Sequence, residues 1–104
     1  MAAVRIGTDG KVIHSDRKVK LSKKQKDEVH FSSQANSGPW HVIFPAGPAP
    51  YVGSPFGKDS FVVPKVGNVA SGEVVVPPGT TEYKYEVRDS EGNLTDDPDV
   101  LIDT

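Results

Sequence analysis

The stretch E82-Y-K-Y-E-V-R88 alternates an apolar side chain with a charged one. In an extended chain successive side chains point to opposite faces, so Tyr83, Tyr85 and Val87 share one face and Lys84, Glu86 and Arg88 the other. Apolar positions two apart do not fit a helix, and the stretch predicts a half-buried β-strand. The same period returns on both sides of it. Arg17 to Leu21 places Val19 and Leu21 together, E28-V-H-F31 places Val29 and Phe31 together, and W40-H-V-I-F44 places Trp40, Val42 and Phe44 opposite His41 and Ile43. F61-V-V-P-K65, G72-E-V-V-V76 and Val100 to Ile102 read as further short strands.

Turn chemistry separates these runs. V4-R-I-G-T-D-G-K-V-I13 predicts an N-terminal hairpin within residues 1–16, because Asp9-Gly10 supplies the positive-φ positions of a tight turn. Q34-A-N-S-G-P39 is a turn-rich break, and P45-A-G-P-A-P-Y-V-G-S-P-F-G57 predicts a long Pro/Gly loop that carries Tyr51 and Phe56. About seven or eight short strands spaced by roughly 8 to 12 residues predict an all-β sandwich with Greek-key connections. Nine prolines and ten glycines in 104 residues argue against long helices, and the length predicts a single domain spanning 1–104.

Composition closes off several functions. The chain has no cysteine, which removes disulfides, thiolate nucleophiles and thiolate metal ligands. A formal charge of −2 supplies no global field for nucleic acid or an anionic membrane. No run approaches the roughly 18 apolar residues of a transmembrane helix, and Met1 to Asp9 lacks the order of a signal peptide. The expectations are no membrane association and, if a leader has been removed, a periplasmic or extracellular location.

Three stretches carry a family resemblance: K26-D-E-V-H-F31, W40-H-V-I-F44 and P78-G-T-T-E-Y-K-Y-E-V87. Together they resemble the cupredoxins, the Greek-key sandwiches of the small blue copper proteins, over residues 19–103. The resemblance implies the fold but not the activity. Laid on the family pattern, Trp40 stands where the first ligand histidine belongs, Val87 at the ligand cysteine and Ser90 near the second histidine, while the one methionine is Met1. A blue-copper centre needs two imidazoles and a thiolate, usually with a weak axial thioether, and this chain matches none of those positions.

The remaining candidates have bland readings beside sharp ones. His14, His30 and His41 are the only imidazoles and show no short ligand spacing; the expectation is no metal, with a histidine-based Cu(II)- or Zn(II)-handling protein as the alternative. R17-K-V-K-L-S-K-K-Q-K26 is basic but lacks aromatic platforms for bases and is followed at once by acidic residues, so no nucleic-acid binding is expected. D89-S-E-G-N-L-T-D-D-P-D99 is an oxygen-rich turn whose spacing does not match a twelve-residue calcium loop; a solvated acidic turn is the competing reading. It includes N93-L-T95, a glycosylation triplet of consequence only in a secreted chain. No nucleophile elbow, phosphate-binding loop or carboxylate pair in a walled pocket is readable, so no catalytic residue and no cofactor are assigned.

The expected object is a non-enzymatic, monomeric binding module for an unidentified protein or small ligand. Its expected contact surface is His41, Tyr51 and Phe56 at the end formed by the 34–39, 45–57 and 89–98 loops. Two alternatives stand beside it: Tyr51 and Phe56 fold back over the core, or Trp40, Tyr51 or Phe56 forms a stacking platform for carbohydrate.

Overall fold

A computed structural model of the chain describes residues 2–47, 53–75 and 82–103. The fold is an all-β sandwich built from three sheets. The strands are β1 (Ala2–Ile6), β2 (Lys18–Ser22), β3 (Val29–Ser33), β4 (Trp40–Ile43), β5 (Ser60–Val63), β6 (Asn68–Ala70), β7 (Glu82–Lys84), β8 (Glu86–Arg88), β9 (Leu94–Asp96) and β10 (Asp99–Asp103). The sheets run in the orders β1-β3-β6, β2-β10-β7 and β5-β4-β8-β9. Two pairings, β1 with β3 and β2 with β10, are parallel, and the rest are antiparallel.

The alternation read from the sequence sets the inward faces. Val4 and Ile6, Val29 and Phe31, Trp40 and Val42, Phe61 and Val63, Tyr83 and Val87, and Val100 and Ile102 are all buried and belong to one continuous core. An aromatic group lies at its centre: the Phe44 and Tyr85 rings are 5.1 Å apart, Phe31 and Phe61 5.7 Å, and Phe44 and Phe56 5.8 Å. Aromatic pairs at such separations add stabilisation of about 0.5–1.5 kcal/mol each beyond the area they bury.

Residues 82–88, read from the sequence as one strand, form one extended run divided between two sheets. β7 pairs with β10 in one sheet, and β8 pairs with β4 and β9 in another. Tyr85 sits at the change-over, where its amide donates to the Pro98 carbonyl (3.1 Å). Its ring is fully buried, and its hydroxyl has no hydrogen-bond partner among the described residues. Burial, reinforced by the nearby Asp96 charge, holds that hydroxyl protonated far above the ordinary tyrosine range.

Other elements differ from expectation for identifiable reasons. The turn after β1 differs from the expected two-residue form: Gly10 has positive φ but Asp9 does not, the Gly7 amide donates to the Lys11 carbonyl at 2.9 Å, and only the Ile6–Val12 bridge follows it. Asp16 accepts the Arg5 amide (2.9 Å) and the Arg5 Nε–H (2.8 Å), so a side chain stands where a second hairpin arm would have paired. Gly10 is constrained to remain glycine: its φ is +80°, and a Cβ there would lie 2.6 Å from Thr95. No strand forms over 71–75. The Ser71 hydroxyl accepts the Val29 amide (2.9 Å), ending the ladder, and the Val75 amide turns to the Pro55 carbonyl (2.8 Å). The short strands β6 and β9 were not anticipated.

One polar junction ties the N-terminal segment to the last two strands. Asp96, its side chain 7% exposed, accepts the Val12 amide (2.8 Å) and is ion-paired with Arg17. The Asp99 amide donates to the Arg17 carbonyl (3.0 Å), and the Thr95 hydroxyl lies 2.8 Å from the Gly10 carbonyl oxygen. Burial alone would push the Asp96 carboxyl up, but the bonds from Arg17, Val12 and Asp97 outweigh it and hold it below the usual carboxylate range. A carboxylate with a depressed folded pKa stabilises the protein above its unfolded pKa of about 3.9, and that stabilisation is lost as pH falls through the folded value. Asp96→Asn is expected to cost about 1.5–3 kcal/mol at pH 7 and to flatten the loss of stability below about pH 4, as read by urea unfolding across pH. An unchanged acid limb in the variant would contradict the role assigned to Asp96.

Candidate functional site

The outward face of the β5-β4-β8-β9 sheet carries the candidate site. Register places Val62 beside His41 and His41 beside Arg88, with Arg88 beside Leu94, so these four residues form one row across four strands. Ser60, Ile43 and Glu86 form the next row. Val62 is 57% exposed and Leu94 51%, while His41, Ile43 and Arg88 are half-buried. Beside these rows lies a solvent-open cleft of about 250 Å³ lined by His41, Ile43, Arg88, Asp89, Ser90 and Gly92.

Local chemistry fixes the walls of the cleft. Asp89 closes the turn after β8: its Oδ1 accepts the amides of Glu91 and Asn93, each at 2.9 Å, and its Oδ2 accepts Asn93 Nδ2–H at 3.2 Å. These bonds, that of Asn93 foremost, hold its carboxyl below the usual range. Arg88 spans the floor. Its Nε–H donates to Glu86 Oε1 (3.0 Å), its Nη2 lies 3.0 Å from the same oxygen, and its Nη1–H donates to the Gly92 carbonyl (2.7 Å). The register shift between Val87 and Arg88 is a bulge that brings Leu94 opposite Arg88, with the Thr95 hydroxyl 2.9 Å from the Val87 carbonyl oxygen.

Two of the residues singled out in the sequence, His41 and Ser90, meet in this cleft. Trp40 and Val87 lie on the opposite face, in the core: Trp40 is 8% exposed with its Nε1–H donating to Ser37 Oγ (3.2 Å), and Val87 is fully buried opposite Val42. Phe56, offered as a surface aromatic, is 4% exposed and packs edge-on against Phe44 and Phe61, so it covers the core. Tyr51 lies outside the described residues. Of the three loops expected to form the contact end, the 89–98 turn borders the cleft.

The other candidates are dispersed. His14 is exposed in a short 3-10 turn, His30 lies 3.2 Å from Glu28 on β3, and His41 is on β4 in a different sheet. Among the described residues no group of three or more His, Cys, Asp or Glu side chains is arranged to hold a metal ion. The carboxylates of the acidic turn are divided among different partners: Asp89 bonds its own turn, Asp96 pairs with Arg17, and Asp97 and Asp99 share Lys84 at 3.9 and 3.4 Å. Within the basic run, Arg17 is paired with Asp96 and Lys18 lies 3.6 Å from Glu82.

Reading by parity finds part of this surface. F61-V-V63 with Phe61 and Val63 inward leaves Val62 outward, and Arg88 follows from the same rule. That β4 and β8 are neighbours, and that the Asp89 turn folds beside His41, follows from tertiary pairing alone. Comparison of the chain with protein-family models, with curated proteins and with solved structures finds no match.

The opposed faces of β4 give a direct test. Trp40→Ala is expected to cost about 3–5 kcal/mol in chemical denaturation, as for a large aromatic removed from a packed core. His41→Ala is expected to change stability by less than about 0.5 kcal/mol. Equal effects of the two would contradict the assignment of faces.

Proposed function

We propose that the chain is a non-enzymatic, copper-free, cupredoxin-like interaction module that contacts a partner through the outward face of the β5-β4-β8-β9 sheet. The observation that carries this reading is the use made of the two positions at which the resemblance expects ligands. A tryptophan and a valine there are core residues, each removed from water with the transfer free energy of an apolar side chain, about 1.5–3 kcal/mol. A module that keeps a β-sandwich and fills those positions with packing offers its surface.

Recognition rather than catalysis also accords with the polar groups. Asp16, Asp89 and Asp96 are each held below the usual carboxylate range by the hydrogen bonds they accept, which suits structural anchors and not proton donors near neutral pH. The cleft is small for a drug-sized ligand, whose sites run to about 300–1,000 Å³, and fits one side chain of a larger partner. The carbohydrate-platform reading loses support from Trp40 and Phe56, since both rings are buried.

Copper titration followed by visible absorption and thermal melting tests the proposal. The expected result is no intense blue band and a Tm that moves by less than about 1 °C at stoichiometric Cu(II). An intense band, or a shift of many degrees, would overturn it in favour of metal handling.

A further inference from the structure

We propose that the cleft beside Arg88 receives a tyrosine or tryptophan side chain presented by a protein partner, its ring stacked on the Arg88 guanidinium. This rests on the interaction-module reading and adds the chemistry of what is bound.

The argument begins with what Arg88 has left to offer. A guanidinium recognises carboxylates and phosphates along its N–H edges and aromatic rings through its flat faces. In this cleft the Nε side is already committed to Glu86 and one Nη1–H to the Gly92 carbonyl. A carboxylate from a partner would be left only the second Nη1–H and the second Nη2–H, and would approach Asp89 in the same wall. The edges are therefore poorly suited to an anion. The same bonds fix the plane of the guanidinium, and the side chain remains 32% exposed. An arginine held flat in this way loses little conformational entropy when a ring stacks on it.

The neighbours favour the same occupant. Ile43 lines the cleft, and Val62 and Leu94 stand at the two ends of the row through His41 and Arg88, each more than half exposed. Leu94 gives apolar surface next to Arg88, and Val62 extends it beyond His41. His41 adds an imidazole ring to the lining, and Ser90 adds a hydroxyl. An apolar body with a polar tip, which tyrosine and tryptophan combine, matches a floor of this composition with a polar edge. Aromatic side chains of this kind dominate the anchors of protein interfaces because they bury much area with few rotors.

The experiment is a nitrogen-15 NMR titration of the full chain with three probes at constant ionic strength: N-acetyl-tryptophanamide, N-acetyl-leucinamide and sodium acetate. The tryptophan probe is expected to move the Arg88 Nε–H resonance and the amides of residues 41, 43 and 88–92, saturating with Kd on the order of 1–10 mM, as suits a single residue removed from its partner. The leucine probe should bind at least about threefold more weakly, and acetate should not saturate. Arg88→Lys keeps the charge but not the plane and should weaken the tryptophan probe by about threefold or more. Glu86→Ala vacates the Nε side and should let acetate bind. Saturation by acetate in the unmodified protein, equal binding of the leucine and tryptophan probes, or no saturation by any probe would each overturn the aromatic assignment. None of these outcomes bears on the copper titration, so failure of the cleft assignment is separable from failure of the module reading.

Discussion

The fold depends on one extended run serving two sheets. Glu82–Lys84 completes the sheet around β10, Glu86–Arg88 lies between β4 and β9, and Tyr85 stands between them with its side chain in the middle of the core. The inward parity of Tyr83, Tyr85 and Val87 runs unbroken through the change of sheet, so one strand buries its apolar face against both layers at once. This arrangement tolerates a cost. A buried hydroxyl with no partner among the described residues disfavours folding by about 1–3 kcal/mol, and the ring offsets it through its contacts with Phe31 and Phe44 at 6.0 and 5.1 Å. Pro98 fixes the geometry by accepting the Tyr85 amide, and it lies between the two strands, β9 and β10, that flank the crossing.

The Arg17–Asp96 pair complements that crossing. It joins the segment before β2 to the end of β9, while the parallel pairing of β2 with β10 begins immediately beyond it. A parallel pairing needs such a fixed point, because remote segments have no connecting turn to set their register.

What could be read in the sequence was periodicity, and what could not was adjacency. Trp40 inward and His41 outward follow from two-residue alternation, as do the buried positions of β1, β3, β5 and β10. Gly72 to Val75 shows where the rule fails: the apolar run is present, yet the Gly72 carbonyl accepts the Ser71 hydroxyl and the Val75 amide donates to the Pro55 carbonyl instead of to a strand, and composition does not encode that choice. Phe56 had two readings in a proline-rich loop, and only the neighbouring Phe44 and Phe61 rings decide between them. The cleft was half legible. His41 and Ser90 were visible as candidates, whereas Arg88 became one only when β8 paired with β4 and Glu86 and Gly92 fixed its guanidinium.

The central claim is that residues 82–88 couple the two sheets into one cooperative unit. Native-state hydrogen exchange tests it most directly. The account predicts that the Tyr85 amide and the protected amides of β4, β8 and β10 exchange only through global opening, with one common free energy and one common dependence on denaturant. Exchange of the β2-β10-β7 sheet through a separate opening, at a lower free energy than the β5-β4-β8-β9 sheet, would contradict it.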